Sequence, residues 1–430
     1  MSEPLRVLVA GGGLGGLCLA HGLRAAGLSV RVFERDQHPP DPLLSYRIHV
    51  NASGSRALHA CLPLALWQAF AARSACPPRG IAFVDQRLRQ LAFVDEPDPG
   101  QAAVDRAHPI SRAGLRQLLL TGLDDLVLFG KRLVRYEQGS DGCVTAFFAD
   151  GSTATGDLLV GADGAGSAVR RQYLPHARVV DTGVAGIAGK FYLTERTRDR
   201  LPPELLSQMT LVLPPRGPAL FAASFLHQPA GAAAPDPQSD VDLPEHLFWA
   251  LLGQPDAIGL TGKVRREDGS ALQGLALRLV DRWHPALQRL VAESDPATVL
   301  SVPLASSVPV SPWATTIVTL LGDAIHTMTP LQGLGGNTAL RDAALLCHQL
   351  ADVQRGRAEL LPAIHAYEVA MRSYGFDAVR RSLRIAQQTA SPNTFGRAAF
   401  KTALRVADRL PPLRQRLLRS PDREPSPALR

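Results

Sequence analysis

Five of the six residues from Gly11 to Gly16 are glycine, and they follow directly on the apolar run Leu5–Ala10. Glycine at that density weakens the interior of a helix or strand, so the segment must be a turn with unusual backbone angles or very close neighbours. The run before it reads as a buried strand over 5–10. A helical pattern follows from about Gly15 to Ala26, stopped by Gly27, and residues 29–33 read as a second strand. The spacing predicts a β-α-β unit, right-handed by the usual rule. Gly11, Gly13 and Gly16 fit G-x-G-x-x-G, and Glu34 stands at the end of the second strand, 23 positions after Gly11. In such a turn Gly11 permits the tight bend, Gly13 admits a pyrophosphate close to the backbone, and Gly16 lets helix and strand pack. The free N–H groups of the helix start, with its positive dipole end, face the phosphates. Glu34 can accept hydrogen bonds from ribose hydroxyls. The motif alone does not choose between FAD and NAD(P).

Further along the chain, residues 53–60 and 64–72 read as helical. Gly80–Val84 and Gln90–Val94 read as strands of a hairpin. Residues 112–121 read as a helix, 126–162 as a β-rich stretch with a turn at Asp150-Gly151, and 166–173 as a short helix. Near 181 the composition changes to short strands (187–193, 219–226) among Pro- and Gly-rich loops, read as an inserted domain. A buried strand returns at 315–321, followed by a glycine-rich turn and helices over about 337–352 and 358–385. The division expected is 1–180, with 79–96 a candidate to join the sheet of the insert, then 181–296, 297–375, and a C-terminal helical segment and basic tail over 376–430.

Charge and cysteine usage narrow the class. The net charge is +7, but residues 401–430 alone carry eight basic and three acidic residues. The surplus is a tail, read as a solvated helix end, and not a basic groove for nucleic acid. Five scattered cysteines without Cys-x-x-Cys disfavour disulfides and thiolate metal sites. No His-Glu-x-x-His pattern points to a metal. Neither a signal peptide nor a run of ~20 apolar residues is visible. The expectation is a reduced, soluble, cytoplasmic protein with no nucleic-acid or membrane partner; the oligomeric state is left open.

Two later segments add acids to glycine turns. In Leu158–Arg171 a buried strand enters a Gly-rich turn bearing Asp163, then a helix with Ser167 as a candidate cap. In Gly322–Asn337, Asp323 follows a buried strand at the edge where ligands of open α/β sheets bind. Pro330, Gly333, Gly335 and Gly336 then shape a loop feeding a long helix. Each segment alone is also readable as an ordinary turn.

As an ordered set, the three segments resemble the FAD-dependent aromatic hydroxylases, the monooxygenase class of para-hydroxybenzoate hydroxylase. That family carries an N-terminal G-x-G-x-x-G, a central Asp-Gly motif and a late Gly-Asp motif followed by Pro-x-x-Gly-x-Gly-x-Asn. The resemblance covers about 1–175 and 297–375; insert and tail match by position only. It implies an α/β fold, a Rossmann-like FAD-binding domain with an inserted β-sheet substrate domain and C-terminal helices. It also implies that Gly11, Gly13, Leu14, Gly15 and Gly16 hold the FAD diphosphate. Glu34, with Arg35 beside it, would hold the adenosine ribose. Arg47 and Arg112 match arginines near the cofactor. Asp163 resembles an acid used in FAD and NAD(P)H binding, and Asp323 the carboxylate on the ribityl chain. Pro330 and Gly333 to Asn337 (Gly333, Gly335, Gly336, Asn337) would lie beside the isoalloxazine.

The activity implied is NAD(P)H-consuming, dioxygen-dependent hydroxylation of a bulky aromatic or phenolic small molecule through a flavin hydroperoxide. NADPH or NADH is the reductant, and the substrate would sit between the insert's sheet and the flavin. The cofactor carries the difficult chemistry while the protein orients and excludes water. The apolar run 220–226 points to a bulky hydrophobic substrate. No side chain is assigned as a catalytic base. His49, His326, Lys190, Trp249, Trp283 and Trp313 are read as structural. The alternatives are Baeyer–Villiger insertion, epoxidation or dehydrogenation on the same scaffold, an NAD(P)-dependent dehydrogenase using the first turn alone, and a non-catalytic flavin-binding protein. The Trp-x-Trp-x-Ile-Pro signature of related halogenases is absent.

Overall fold

A computed structural model describes residues 3–38, 46–95, 102–228, 244–260 and 268–410. The chain divides into two compact units. One comprises Met1–Arg73, Ala102–Val180 and Ala305–Leu383; the other comprises Ser74–Gln101, Asp181–Leu304 and Arg384–Arg430.

The first unit is built on a five-stranded sheet, in the order Val318–Leu320, Leu158–Gly161, Arg6–Ala10, Ser29–Phe33, Val127–Leu128. All four neighbouring pairs are parallel. A parallel sheet is covered on both faces, which is why its strands read as unbroken apolar runs. Val7, Leu8, Val9 and Ala10 are each at most 3% exposed. Full burial of such a Val or Leu contributes about 1.5–3 kcal/mol. Helix Leu14–Ala25 lies close against helix Leu334–Gln354, and glycines make that approach possible. A methyl group at Gly15 would stand 2.4 Å from Leu321 Cδ2 and 3.1 Å from the Ala339 carbonyl. At Gly22 it would meet the Cys347 and Cys61 sulfurs at 2.6 and 3.2 Å.

The stretch 126–162 resolves into five strands. Leu133–Gln138, Val144–Phe148 and Thr153–Gly156 form a separate antiparallel sheet, with Gly151 at φ +82° in its turn. Arg47–Val50 and His108–Ser111 pair antiparallel, a two-stranded ribbon that the sequence reading did not contain. The buried strand expected over 315–321 is shorter, Val318–Leu320.

The second unit carries a seven-stranded sheet, in the order Leu300–Ser307, Val179–Tyr192, His246–Gly253, Ala219–Phe225, Met209–Val212, Gly80–Val84, Gln90–Asp95. The hairpin 80–95 is its far edge, joined by a parallel pairing of Ile81–Val84 with Met209–Val212. Side chains alternate across the sheet. Ile187, Trp249, Leu251, Leu220 and Ala222 form a core with Leu272, Ala276 and Leu287 of helices Gly269–Val280 and Pro285–Ala292. The Trp249 indole donates to Ser294 Oγ at 2.7 Å, a buried packing position.

The sequence reading missed His246–Gly253, the strand between Val179–Tyr192 and Ala219–Phe225. Its run HLFWALLG shows no alternation because both faces are covered, and such a run cannot be told from a buried helix by period alone. The strand expected at 187–193 begins eight residues earlier, at Val179, through an exposed polar stretch. Helix Leu360–Ala390 runs past the boundary at 383, so the expected division at 376 falls inside it.

Candidate cofactor site

The three glycine turns leave three adjacent strands at the same edge of the parallel sheet. Each turn is still in register with its neighbour as it departs. Gly11 N–H donates to Phe33 O at 2.8 Å, Ala162 N–H to Ala10 O at 2.7 Å, and Leu321 N–H to Gly161 O at 2.9 Å. This carboxyl edge is where open α/β sheets bind ligands.

The first turn is fixed by backbone contact. Gly11 has φ +113°, and a methyl group there would stand 2.3 Å from the Ala162 carbonyl oxygen. At Gly16 it would stand 2.1 Å from the Gly11 carbonyl oxygen, so the helix sits directly on the turn. At Gly13 nothing lies within 4 Å. Gly13 is also the cap of helix Leu14–Ala25 and supplies no side-chain cap bond, which leaves the first-turn N–H groups facing that opening.

Glu34 is buried and already engaged. Its Oε2 accepts from Gly12 N–H at 2.8 Å and from Arg116 Nη2 at 3.2 Å; its Oε1 accepts from Asp36 N–H at 2.9 Å. Arg116 Nε also donates to Gly12 O at 2.8 Å, while its buried Nη1 has no hydrogen-bond partner among the described residues. Arg116 was not singled out from sequence. Its signal was available: it lies four residues after Arg112 on helix Arg112–Leu120, beside the buried Leu115, Leu118 and Leu119.

Arg112 itself is exposed at the start of that helix, its guanidinium 5.9 Å from the Tyr46 ring centre. Arg35 is exposed and paired with Asp36 at 3.7 Å. Arg47 lies on the two-stranded ribbon, in register with Ser111.

Asp163 accepts from Ala168 N–H at 2.6 Å through Oδ2, while its buried Oδ1 has no partner among the described residues. Ser167 caps helix Ala168–Tyr173 by accepting from Arg170 N–H at 2.9 Å. The Arg170 guanidinium ties this turn to the next, donating to Ala165 O and Ala324 O, both at 2.7 Å.

The third turn rests on side chains. Gly322 has φ +63° and its N–H donates to Asp342 Oδ2 at 2.8 Å. The same oxygen accepts from His326 Nε2 at 2.6 Å, and Tyr374 OH donates to Asp342 Oδ1 at 2.6 Å. His326 and Asp342 are fully buried. Burial pushes the His326 imidazole down, but the Asp342 carboxylate outweighs it and the net direction is up.

Asp323 is the acid that follows Gly322. Its carboxyl is crowded by protein, which raises its pKa against the opposing pull of His326 and Arg112. The residue is nonetheless solvent-accessible. Gly335 and Gly336 are partly exposed, and a methyl group at either would make only ordinary van der Waals contact. A methyl group at Gly335 would meet Met328 Cγ at 3.7 Å and Asp323 Oδ1 at 3.9 Å, and one at Gly336 would meet Leu14 Cδ1 at 3.8 Å. Leu14 and the late loop are thereby brought together.

Pro330 is exposed in a 3-10 turn, Pro330–Gln332. Gly333 has φ +63° and caps the long helix. Asn337 accepts from Asn51 N–H at 2.9 Å and donates to His49 O and Gly333 O at 2.8 and 2.7 Å, stapling the loop to the ribbon. Gly15, by contrast, turns its α-carbon toward helix Leu334–Gln354.

These residues suit a long, flat, diphosphate-bearing group. Open space lies above Gly13, the exposed Asp323 stands at the same edge of the sheet, and Arg116 Nη1 and Asp163 Oδ1 are buried polar atoms without partners among the described residues. Fold and site together define a flavin-binding α/β protein. A family model described as an FAD binding domain matches residues 273–382, and one described as an NAD(P)-binding Rossmann-like domain matches 9–48. The chain is 30% identical to the aurachin C monooxygenase/isomerase of Stigmatella aurantiaca over 92% of each chain. It is 33% identical to the dual O-methyltransferase/FAD-dependent monooxygenase CTB3 of Cercospora beticola, over 85% of this chain and 44% of that protein. It thus spans under half the length of these dual-function fungal relatives. Among solved structures, an FAD-containing monooxygenase from Photorhabdus luminescens subsp. laumondii superposes with a TM-score of 0.80 at 36% identity, covering 90% of this chain and 98% of that one. The chain belongs to the FAD-dependent monooxygenases, and FAD with a nicotinamide reductant is the cofactor set of that family.

Proposed function

We propose that this protein is an FAD-dependent, NAD(P)H-consuming monooxygenase that hydroxylates an aromatic or phenolic small molecule. The observation that carries this reading is the convergence of three distant glycine turns on one open edge lined by Asp323. Bound FAD would supply two-electron transfer from the nicotinamide and the activation of dioxygen for oxygen transfer to the ring.

The chain's own residues bind and orient. The first-turn N–H groups from Gly13 onward would hold the diphosphate. Glu34, clamped by Arg116, would accept from the adenosine ribose through the lone pairs left on its oxygens. Asp163 offers its unpartnered Oδ1, and Asp323 would accept from ribityl hydroxyls. Gly335 and Gly336 leave room for a flat ring to lie against backbone. In the second unit, Lys190 stands in register with Phe248, and Phe248 with Ala223, on the sheet face opposite the helices. That largely apolar face is the surface proposed to contact an aromatic substrate. The names of relatives support the aromatic reading: urate hydroxylases of Klebsiella are among them.

The test is anaerobic reduction of the reconstituted protein by NADPH and by NADH, with and without a panel of phenols and fused-ring quinones. Oxygen is then admitted and products are analysed by mass. Substrate-accelerated reduction followed by gain of one oxygen atom is expected. Turnover that proceeds equally without oxygen would make the protein a dehydrogenase instead.

A further inference from the structure

Helix Thr394–Arg409 turns two of its four cations, Arg397 and Lys401, inward, while an apolar stripe points out. On the inner face, at 397, 401, 404 and 408, the Arg397 guanidinium donates to Gly217 O at 2.6 Å and Lys401 Nζ to Leu213 O at 3.0 Å. Asp408 Oδ1 accepts from Phe93 N–H at 3.1 Å, and Leu404 is 2% exposed. These bonds and that burial seat the helix on its own unit. Positions 395, 399, 403, 406 and 410 recur at three- and four-residue spacing and share the opposite face. They are Phe395, Ala399, Ala403, Val406 and Leu410, all exposed, Phe395 by 85%. Exposed Arg405 and Arg409 run along one flank of this stripe. The helix's single acid, Asp408, is turned inward. Beyond it, residues 411–430 add five arginines against two acids in sequence.

We propose that this face docks on an anionic lipid bilayer. An isolated exposed apolar residue needs no explanation, but a contiguous stripe does. An apolar stripe with a cationic flank is the pattern of a helix that lies in the membrane interface, its apolar side chains ~5–10 Å deep among headgroups. Sixteen residues are too few to cross, since a span needs about 20; the helix lies flat. A second copy of this chain is the less suitable occupant. An antiparallel pairing through the stripe offers no acid to Arg405 and Arg409, whereas lipid phosphates do. Arg405 and Arg409, part of the basic stretch read in sequence as a solvated helix end, thereby gain a partner. The proposal stands apart from the catalytic reading, because no residue of the cofactor site enters it.

The full-length protein, loaded with FAD, is sedimented with vesicles of phosphatidylcholine alone and of phosphatidylcholine with phosphatidylglycerol. Binding is expected only to the anionic vesicles, weakening roughly five-fold for each of Arg405→Gln and Arg409→Gln. Phe395→Glu with Val406→Glu is expected to abolish it while leaving the unfolding midpoint unchanged. Phe395→Trp gives an independent readout, a blue shift of its added emission on anionic vesicles alone. The proposal is overturned if no vesicle binds, or if the double glutamate variant binds as well as the parent. It is also overturned if the parent forms a lipid-free dimer that this variant dissolves.

Discussion

The first and third glycine turns leave the two strands that flank Leu158–Gly161, at the same edge of the sheet, yet they are held in place by different means. At Gly11–Gly16 the constraint is backbone against backbone: Gly11 on Ala162, Gly16 on Gly11. At Gly322–Asp323 it is a buried group of side chains, with Asp342 bonded to Gly322 N–H, His326 and Tyr374. The first arrangement has no room for a methyl group at Gly11 or Gly16. The second depends on the buried Asp342 carboxylate. Two turns that present similar surfaces to a ligand are thus expected to fail in different ways when altered.

The largest effect is expected at the third turn. Asp342→Ala removes a buried carboxylate that accepts from His326, Gly322 N–H and Tyr374 OH, at a cost of about 3–5 kcal/mol. Urea unfolding of the cofactor-free protein measures it. A loss under 1 kcal/mol would mean that the buried group does not hold the turn, and the contrast would collapse.

Gly11→Ala comes next, at roughly 3 kcal/mol, from strain at φ +113° and the 2.3 Å approach to Ala162. Gly13→Ala, a few residues along, meets nothing within 4 Å in the protein and should leave the unfolding free energy of the FAD-free protein nearly unchanged while lowering FAD affinity. Equal destabilisation by the two would break the claim that close approach decides the first turn.

Arg116→Met should cost about 2 kcal/mol, since Glu34 is left buried without its cation. FAD retention should fall as well, where Arg112→Met has the smaller effect on stability. Equilibrium unfolding of both variants sharpens the assignment between two arginines one helical turn apart.

The smallest effect on stability is expected at Asp323, and its sign is opposite to that of the effect on FAD binding. Asp323→Asn should weaken FAD binding by ~1.5–3 kcal/mol through loss of a charge-assisted hydrogen bond. The same change should stabilise the FAD-free protein slightly. Crowding raises the Asp323 carboxyl above its ordinary value, so the folded state binds a proton more readily than the unfolded state. Its stability contribution is therefore lost as pH rises out of the ordinary carboxylate range, and the ionised group is a liability at neutral pH. The gain in the variant should stay under ~1 kcal/mol because solvent reaches the side chain. It should vanish in acid, where Asp323 is protonated in both states. Thermal unfolding of FAD-free parent and variant across pH would show it; a variant less stable at neutral pH would assign Asp323 to the scaffold.

Much of the fold was legible because backbone constraints select residue types. Glycine is the favoured residue at the positive φ of Gly11, Gly322 and Gly333, so those turns announce themselves. The parallel strands read as apolar runs because they are covered on both sides, and Ser167 read as a cap because a short hydroxyl before a helix has one common use. The central strand His246–Gly253 was hidden by the same burial that makes it central. Asp342 left a faint trace, an acid beside Ala343, Ala344, Leu345 and Leu346 on an otherwise apolar helix face, which signals a buried partner without naming one.

What the amino-acid order determined by itself was local: the strand–turn–helix at Gly11, the two acid-bearing glycine turns and their order along the chain. Each depends on φ, ψ and hydrogen bonding within a few residues, and these restrict residue type directly. The tertiary structure alone decided that three turns hundreds of residues apart share one edge. It decided that Arg116 clamps Glu34 while Arg112 lies exposed, and that Arg397 and Lys401 of the helix at 394 face inward while Arg405 and Arg409 stay exposed. A side chain's burial and charge environment are set by partners from distant parts of the chain, and only folding brings those partners within reach.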